Sequence, residues 1–174
     1  DNKENRHLYF SLNEKKIERA HKDYVKVLFD SYAKGFDDHL EKLNYKTPFL
    51  LGEFLKKFKA RCGHVLDLGC GTGLMGLELG AFSSSITGVD LSPKMLERAF
   101  QKKIYNELIE NDLLDYLDQT EKTFDLVILG DTVPYFGPLD DLFKKVKKVL
   151  NPHGCFFFSA EKADIDWKLS KEGR

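Results

Sequence analysis

The stretch His64-Val-Leu-Asp-Leu-Gly-Cys-Gly-Thr-Gly73 constrains the chain more than any other. A short apolar run enters a loop of three glycines, and an apolar helical stretch, Leu74–Leu79, follows at once. The same strand–turn–helix order then repeats. Ser85–Val89 reads as a second strand closed by Asp90, and Ser92-Pro93 opens a helix, with serine as cap and proline at the first helical position. Met95, Leu96, Ala99 and Phe100 form that helix's apolar face. Glu107–Ile109 is a weak third strand. Phe124–Leu129 is an apolar run but for Asp125, as expected of a strand buried on both faces of a parallel sheet. Leu139, Leu142, Phe143, Val146, Val149 and Leu150 step along one side of a further helix. Asn151-Pro-His-Gly154 breaks it before a fifth strand, Cys155–Ser159. Strands alternating with helices predict an α/β fold: an open, mostly parallel sheet with helices on both faces. Right-handed crossovers put a ligand beyond the carboxyl ends of the strands, at the switch point beside the first.

Upstream, residues 23–60 are amphipathic. Tyr24, Val27, Leu28 and Tyr32 are spaced to share a helix face, Gly35 interrupts, and Phe36–Leu43 forms a second helix. Pro48 lies near the start of a third, with Phe49, Leu50, Phe54, Leu55 and Phe58 apolar and Cys62-Gly63 ending it. Residues 1–22 are polar apart from Leu8-Tyr9-Phe10. The division expected is a helical extension over 1–60 and an α/β core over 61–174, with the polar tail Glu161–Arg174 closing a truncated sheet.

The net charge of −1 gives no basic surface for phosphates, so a nucleic-acid partner is not expected. The run Lys144, Lys145, Lys147 and Lys148 falls on the polar side of its helix and reads as a solvated face. Cys62, Cys70 and Cys155 are odd in number and lack C-x-x-C spacing, which fits a reducing, cytoplasmic setting. No apolar run is long enough to span a bilayer, and the five histidines lack ligand spacing, so neither membrane nor metal is expected.

The glycine loop alone is a weak signal, since tight strand-to-helix turns also use glycine. Two acids narrow it. Asp90 lies at the tip of the second strand, 21 residues after Gly69, where an acid can accept the hydroxyls of a ribose. Asp67 lies two residues before Gly69 and would repel a pyrophosphate at this loop, so it suits a cationic ligand. Leu74 stands where G-x-G-x-x-G needs its third glycine, and no G-K-[ST] follows.

Residues 65–73 resemble the D-x-G-x-G-x-G signature of class I S-adenosylmethionine-dependent methyltransferases. Gly88-Val-Asp-Leu-Ser-Pro-Lys-Met-Leu-Glu-Arg-Ala99, Glu110-Asn-Asp-Leu113, Phe124-Asp-Leu-Val-Ile128 and Leu150-Asn-Pro-His-Gly154 resemble that superfamily's later motifs in order, with His153 replacing a glycine of the last. Leu28-Phe-Asp-Ser-Tyr-Ala33, Phe36-Asp-Asp-His-Leu40 and Tyr45-Lys-Thr-Pro48 are similar to methyltransferases attached to tetratricopeptide repeats, which would precede Asp1. The resemblance implies a Rossmann-like core, five of a usual seven strands, with the helical segment as a cofactor lid. It implies methyl transfer from S-adenosylmethionine to a small-molecule or protein acceptor by direct displacement. Asp67 and the backbone of Gly69 would hold the methionine end, in the loop that includes Cys70, Gly71 and Gly73. Asp90 would hold the ribose, Leu91 and Met95 would sandwich the adenine, and Asp112 with Leu113 would cap its edge, with a cap on a helix at 113–117 as the second reading of Asp112. Gly130 would face the methionine through its backbone. Tyr32 and Phe36 share a helix face from which a ring could meet the sulfonium. Asp131 and Tyr135 follow the fourth strand and are the catalytic candidates; Asp131-Thr-Val precedes Tyr135, so the D-P-P-Y motif of amino-group methyltransferases is absent. A cofactor-binding scaffold without turnover and a nicotinamide-dependent oxidoreductase remain the alternatives.

Overall fold

The computed structural model describes residues 19–57 and 62–160. The expectations for residues 1–18, for Phe58 and for the tail from Glu161 lie outside the described residues. Helix α1 (Lys22–Tyr32) runs through a 3-10 turn (Ala33–Gly35) into α2 (Phe36–Lys42), and α3 (Thr47–Lys57) follows. The core alternates β1 (Cys62–Leu68), α4 (Leu74–Leu79), β2 (Ser83–Asp90), α5 (Pro93–Gln101), β3 (Glu107–Glu110), α6 (Leu113–Gln119), β4 (Phe124–Leu129), α7 (Asp140–Val149) and β5 (Leu150–Phe158).

The five strands pair in parallel in the order β3-β2-β1-β4-β5. The chain order reverses between β1 and β4, so a crevice opens beyond their carboxyl ends. Period-two alternation sends neighbouring residues to opposite faces. Leu66, Leu68, Val127 and Leu129 join Leu113, Leu117, Leu142 and Val146 on one face. Val65, Leu126 and Ile128 join Leu51, Leu55, Met75 and Leu79 on the other. Both faces are buried, which is why β4 lacks a polar residue after Asp125.

Two boundaries differ from the sequence reading. Cys62-Gly63 begins β1 rather than ending a helix: Cys62 N–H donates to Phe82 O at 2.8 Å and Cys62 pairs with Ser83. At the other edge Leu150 already pairs with Phe124, and the register then jumps to Leu126 against Cys155. The break at Asn151–Gly154 is therefore a bulge inside β5, with His153 at φ 67°. A third correction concerns α1. Its inward residues are Val25 and Phe29, whereas Val27 and Tyr32 are 42% and 56% exposed. Both stripes satisfy helical spacing, and the phase is set by where the helix rests on the core. Lys144, Lys147 and Lys148 are solvated, and Lys145 bonds Asp118 at 2.5 Å. Among the described residues no helix is long and apolar enough to cross a membrane.

Candidate cofactor site

A cavity lies at the carboxyl ends of β1, β2 and β4, roofed by α1 and α2. Gly69, Cys70 and Gly71 form its floor, Asp90, Leu91, Met95 and Leu113 one end, and Gly130, Asp131 and Tyr135 the other; Phe36 lies in the roof. Eleven of the fifteen sequence-predicted residues thus meet at one cavity. Tyr32, Asp67, Gly73 and Asp112 are not in its lining.

The loop's backbone explains its composition. Gly69, Gly71 and Gly73 all have positive φ, at 71°, 53° and 89°. At Gly71 a Cβ would meet nothing within 4 Å, so this is where the floor is open. At Gly69 a Cβ would sit 2.5 Å from Thr132 Oγ1, so that glycine serves the chain's own packing. Asp90 holds the loop from the side: Oδ2 accepts from Gly71 N–H and Oδ1 from Ser92 N–H, each at 2.8 Å. Burial pushes the Asp90 carboxyl up to about 6, against the pull of those two amides.

Asp67 is 1% exposed and lies beneath the loop at the end of β1. Its Oδ2 accepts from the Tyr105 hydroxyl at 2.7 Å, while Oδ1 is buried with no partner among the described residues. Burial pushes this carboxyl up to about 7, opposed by the Tyr105 bond and reinforced by the charge of Asp90. Burial and the charges of Asp67 and Asp90 likewise push the Cys70 thiol well up, which keeps it from acting as a nucleophile at neutral pH.

The roof is tied to the floor by polar contacts that sequence periodicity does not reveal. Thr72 Oγ1 donates to Asp37 Oδ1 at 2.5 Å, and Lys102 Nζ bonds both Asp37 Oδ2 and Thr72 O at 2.7 Å. Ser92 Oγ donates to Asp30 Oδ1 at 2.5 Å. Phe29 packs edge-on against Phe36 and Tyr135, at 6.3 and 5.4 Å between ring centres. Phe36 therefore faces the cavity, whereas Tyr32, one turn earlier, points to solvent.

Asp112 realises the capping alternative. Its Oδ1 accepts from Leu114 and Asp115 N–H at the start of α6. Arg19 adds a bidentate pair, Nη1 to Oδ1 at 3.1 Å and Nη2 to Oδ2 at 2.6 Å. Burial alone would raise this carboxyl; the Arg19 bonds and charge outweigh it and hold it below the usual range. These bonds draw on both carboxylate oxygens. Arg19 also lies 4.6 Å from the Phe136 ring centre and pairs with Phe136 in an antiparallel bridge. No nearby motif marks Arg19 in the sequence.

At the opposite end, Asp131 stands in the left-handed region at φ 49°. Thr47 Oγ1 donates to its Oδ2 at 3.2 Å, Ser159 Oγ donates to its Oδ1, and its own N–H donates to Ser159 Oγ at 2.7 Å. Tyr45 also bonds this carboxylate, and burial followed by the Asp131 contact pushes its phenol up. Left-handed backbone at a non-glycine residue costs energy and is held only where surrounding contacts enforce it.

The sequence model of a methyltransferase domain matches residues 65–154. The chain is 32% identical over 143 residues to the malonyl-[acyl-carrier protein] O-methyltransferase of Priestia megaterium, covering 79% of this chain and 51% of that protein. The chain spans about half the length of the curated relatives it matches. Among solved structures, the DhpI–SAH complex superposes with a TM-score of 0.67 at 22% identity, over 79% of this chain and 67% of that one, a likeness of fold. An S-adenosylmethionine-dependent methyltransferase from Clostridium acetobutylicum superposes with a TM-score of 0.60 at 27% identity, over 72% and 56%. With the family match running from the first strand through the β5 bulge, more than half of its residues, the chain belongs to the methyltransferase domain family, of the class I S-adenosylmethionine-dependent kind.

Proposed function

We propose that the cavity binds S-adenosylmethionine and presents its methyl group to an acceptor at the Asp131–Tyr135 end. The observation that carries this reading is the buried Asp67 carboxylate at the end of β1, next to the glycine loop that floors the cavity, with one oxygen unpartnered among the described residues. An unpaired buried carboxylate is costly. The cations lining the cavity, Arg19 and Lys22, are engaged by Asp112 and Asp115. A ligand carrying its own positive charge fits; a pyrophosphate beside Asp67 and Asp90 does not. The group therefore suits the residues present.

In this reading Asp67 holds the ammonium, assisted by the backbone of Gly69 and Gly130. Asp90 accepts the ribose hydroxyls, and Leu91, Met95 and Leu113 supply apolar walls for the adenine. Phe36 supplies an aromatic face in the roof. When bound, the cofactor supplies an electrophilic methyl carbon. Displacement there needs chiefly in-line positioning of the acceptor. Asp131, fixed by Tyr45, Thr47 and Ser159, orients a hydroxyl or amine and takes its proton where the acceptor is protonated. Tyr135 packs beside the same opening. The relatives' names support a small-molecule or carrier-protein-borne acceptor. The 1–60 lid, upstream tetratricopeptide repeats and a cytoplasmic setting belong to the same proposal, supported by the Leu28–Ala33 and Phe36–Leu40 motifs and the isolated cysteines.

Methyl-labelled S-adenosylmethionine, incubated with a panel of hydroxyl, amine and carrier-borne acceptors, tests turnover; NADH binding is measured in parallel. Label transfer supports the enzyme reading. Tight cofactor binding without transfer to any acceptor supports a scaffold, and binding of NADH alone overturns the proposal.

A further inference from the structure

Tyr105 lies outside every motif that points to the cofactor, yet its ring is packed against the glycine loop. It sits in the turn between α5 and β3. That turn is pinned to β2 by reciprocal bonds: Asn106 N–H donates to Ile86 O at 2.9 Å, and Ile86 N–H donates to Asn106 Oδ1 at 2.8 Å. Lys103, at φ 54°, turns the chain just before it.

Three glycines from three elements make room for its ring. A Cβ at Gly73 would come within 2.9 Å of Tyr105 Cε2, at Gly76 within 2.6 Å of the hydroxyl, and at Gly88 within 2.9 Å of Cδ1. Real side chains do not approach so closely, so glycine at these sites keeps a slot between β2 and α4. This accounts for Gly73 without a ligand, and for its absence from the cavity lining. The slot ends at Asp67, where the tyrosine hydroxyl donates to Oδ2 at 2.7 Å. Burial and the Asp67 charge push the phenol well up, so it stays a donor.

We propose that Tyr105 is a positioning residue: from this glycine slot its hydroxyl occupies Asp67 Oδ2 and keeps the carboxylate turned so that Oδ1 is free for the ammonium end of the cofactor. The proposal rests on the cofactor reading above. A buried carboxylate without this bond could rotate or take up a proton, and either would remove the acceptor the ammonium needs. Among the described residues, the charged or titratable groups around Asp67 are Tyr105, Asp90 at the end of β2, Cys70 in the loop, and Tyr45 between α2 and α3. Of these, Tyr105 is the one that donates to it.

The test compares S-adenosylmethionine with 5′-methylthioadenosine, a nucleoside thioether that lacks the amino-acid end. Tyr105→Phe removes the hydroxyl and leaves the ring in its slot. The variant should bind S-adenosylmethionine about tenfold more weakly, as for loss of one hydrogen bond to a charged group. Its affinity for 5′-methylthioadenosine should stay within about twofold of the parent's, because that ligand makes no demand on Asp67. The pH midpoint of S-adenosylmethionine binding should move upward. Gly76→Ala gives an independent check. Alanine suits a helix interior better than glycine, but at buried Gly76 its Cβ would displace the hydroxyl, and the same selective loss is expected. In an Asp67→Asn background, Tyr105→Phe should cost little more. Equal weakening of both ligands, or no weakening of either, overturns the role of Tyr105 while leaving the cofactor reading intact. Failure of the parent protein to bind S-adenosylmethionine overturns the cofactor reading instead.

Discussion

At the residue scale, the proposed cofactor site rests on two carboxylates, and burial holds both above the ordinary carboxylate value of 3.8: Asp67 near 7 and Asp90 near 6. The sign of the consequence differs between fold and ligand. Without ligand, the folded chain holds protons on these groups that the unfolded chain has released. Their contribution to stability is present below about 4 and is lost as pH rises through about 7. A cationic ligand has the opposite demand, because it needs the ionised form. S-adenosylmethionine affinity should therefore fall by about tenfold or more between pH 7 and pH 5.5. Asp67→Asn should flatten most of that dependence. Calorimetry across this range checks it, and a flat profile in the parent protein would contradict the assignment. Asp67 and Asp90 stand out in the sequence because each lies at the tip of an apolar strand beside the glycines. Tyr105 and Arg19 were not, because they reach their partners across 38 and 93 residues and belong to no local pattern.

At the element scale, α5 shows how a local cap becomes a joint. Ser92 is wholly buried; its hydroxyl accepts from Met95 N–H at 3.1 Å and donates to Asp30 of α1. Ser92→Ala removes the cap and the hydroxyl that donates to Asp30, leaving Asp30 the longer 3.4 Å bond from Lys94 N–H. A loss of about 1–2 kcal/mol is expected, close to the upper range for caps. Thermal denaturation should report it as a drop of roughly 2–4 °C per kcal/mol, and an unchanged midpoint would refute the joint. The Ser-Pro start was readable from sequence because capping chemistry is local. The phase of α1 was not. Tyr24–Val27–Leu28–Tyr32 and Val25–Phe29 both fit a helical period, and packing against Phe36 and Tyr135 selects the second. The start of β1 was missed for a related reason: Cys62-Gly63 has the composition of a helix end, and its pairing with Ser83 is set by β2.

At the scale of the whole molecule, the open parallel sheet was legible because alternating strands and helices leave few topologies. The crevice followed from the reversal of strand order. The polar ties of the roof, such as Asp37 with Thr72 and Lys102, required the assembled fold. The β5 edge leaves an aromatic cluster in view. Phe143, Phe156 and Phe158 pack with ring centres 5.3–5.5 Å apart, and Phe143 and Phe158 are 37% and 40% exposed. Among the described residues β5 pairs only with β4. An uncovered edge with an apolar face invites association. This chain, studied by itself, should self-associate as concentration rises, and Phe158→Lys should reduce that. Sedimentation would reveal it; a parent chain that stays monomeric would contradict it.

Whether this cavity takes a cationic nucleoside cofactor is read most directly by calorimetric titration with S-adenosylmethionine at pH 7. One equivalent should bind, with a dissociation constant in the roughly 1 μM–1 mM range of enzyme ligands. Asp90→Ala should lose most of that affinity. No heat of binding in the parent protein, or an unchanged constant in Asp90→Ala, would contradict the account.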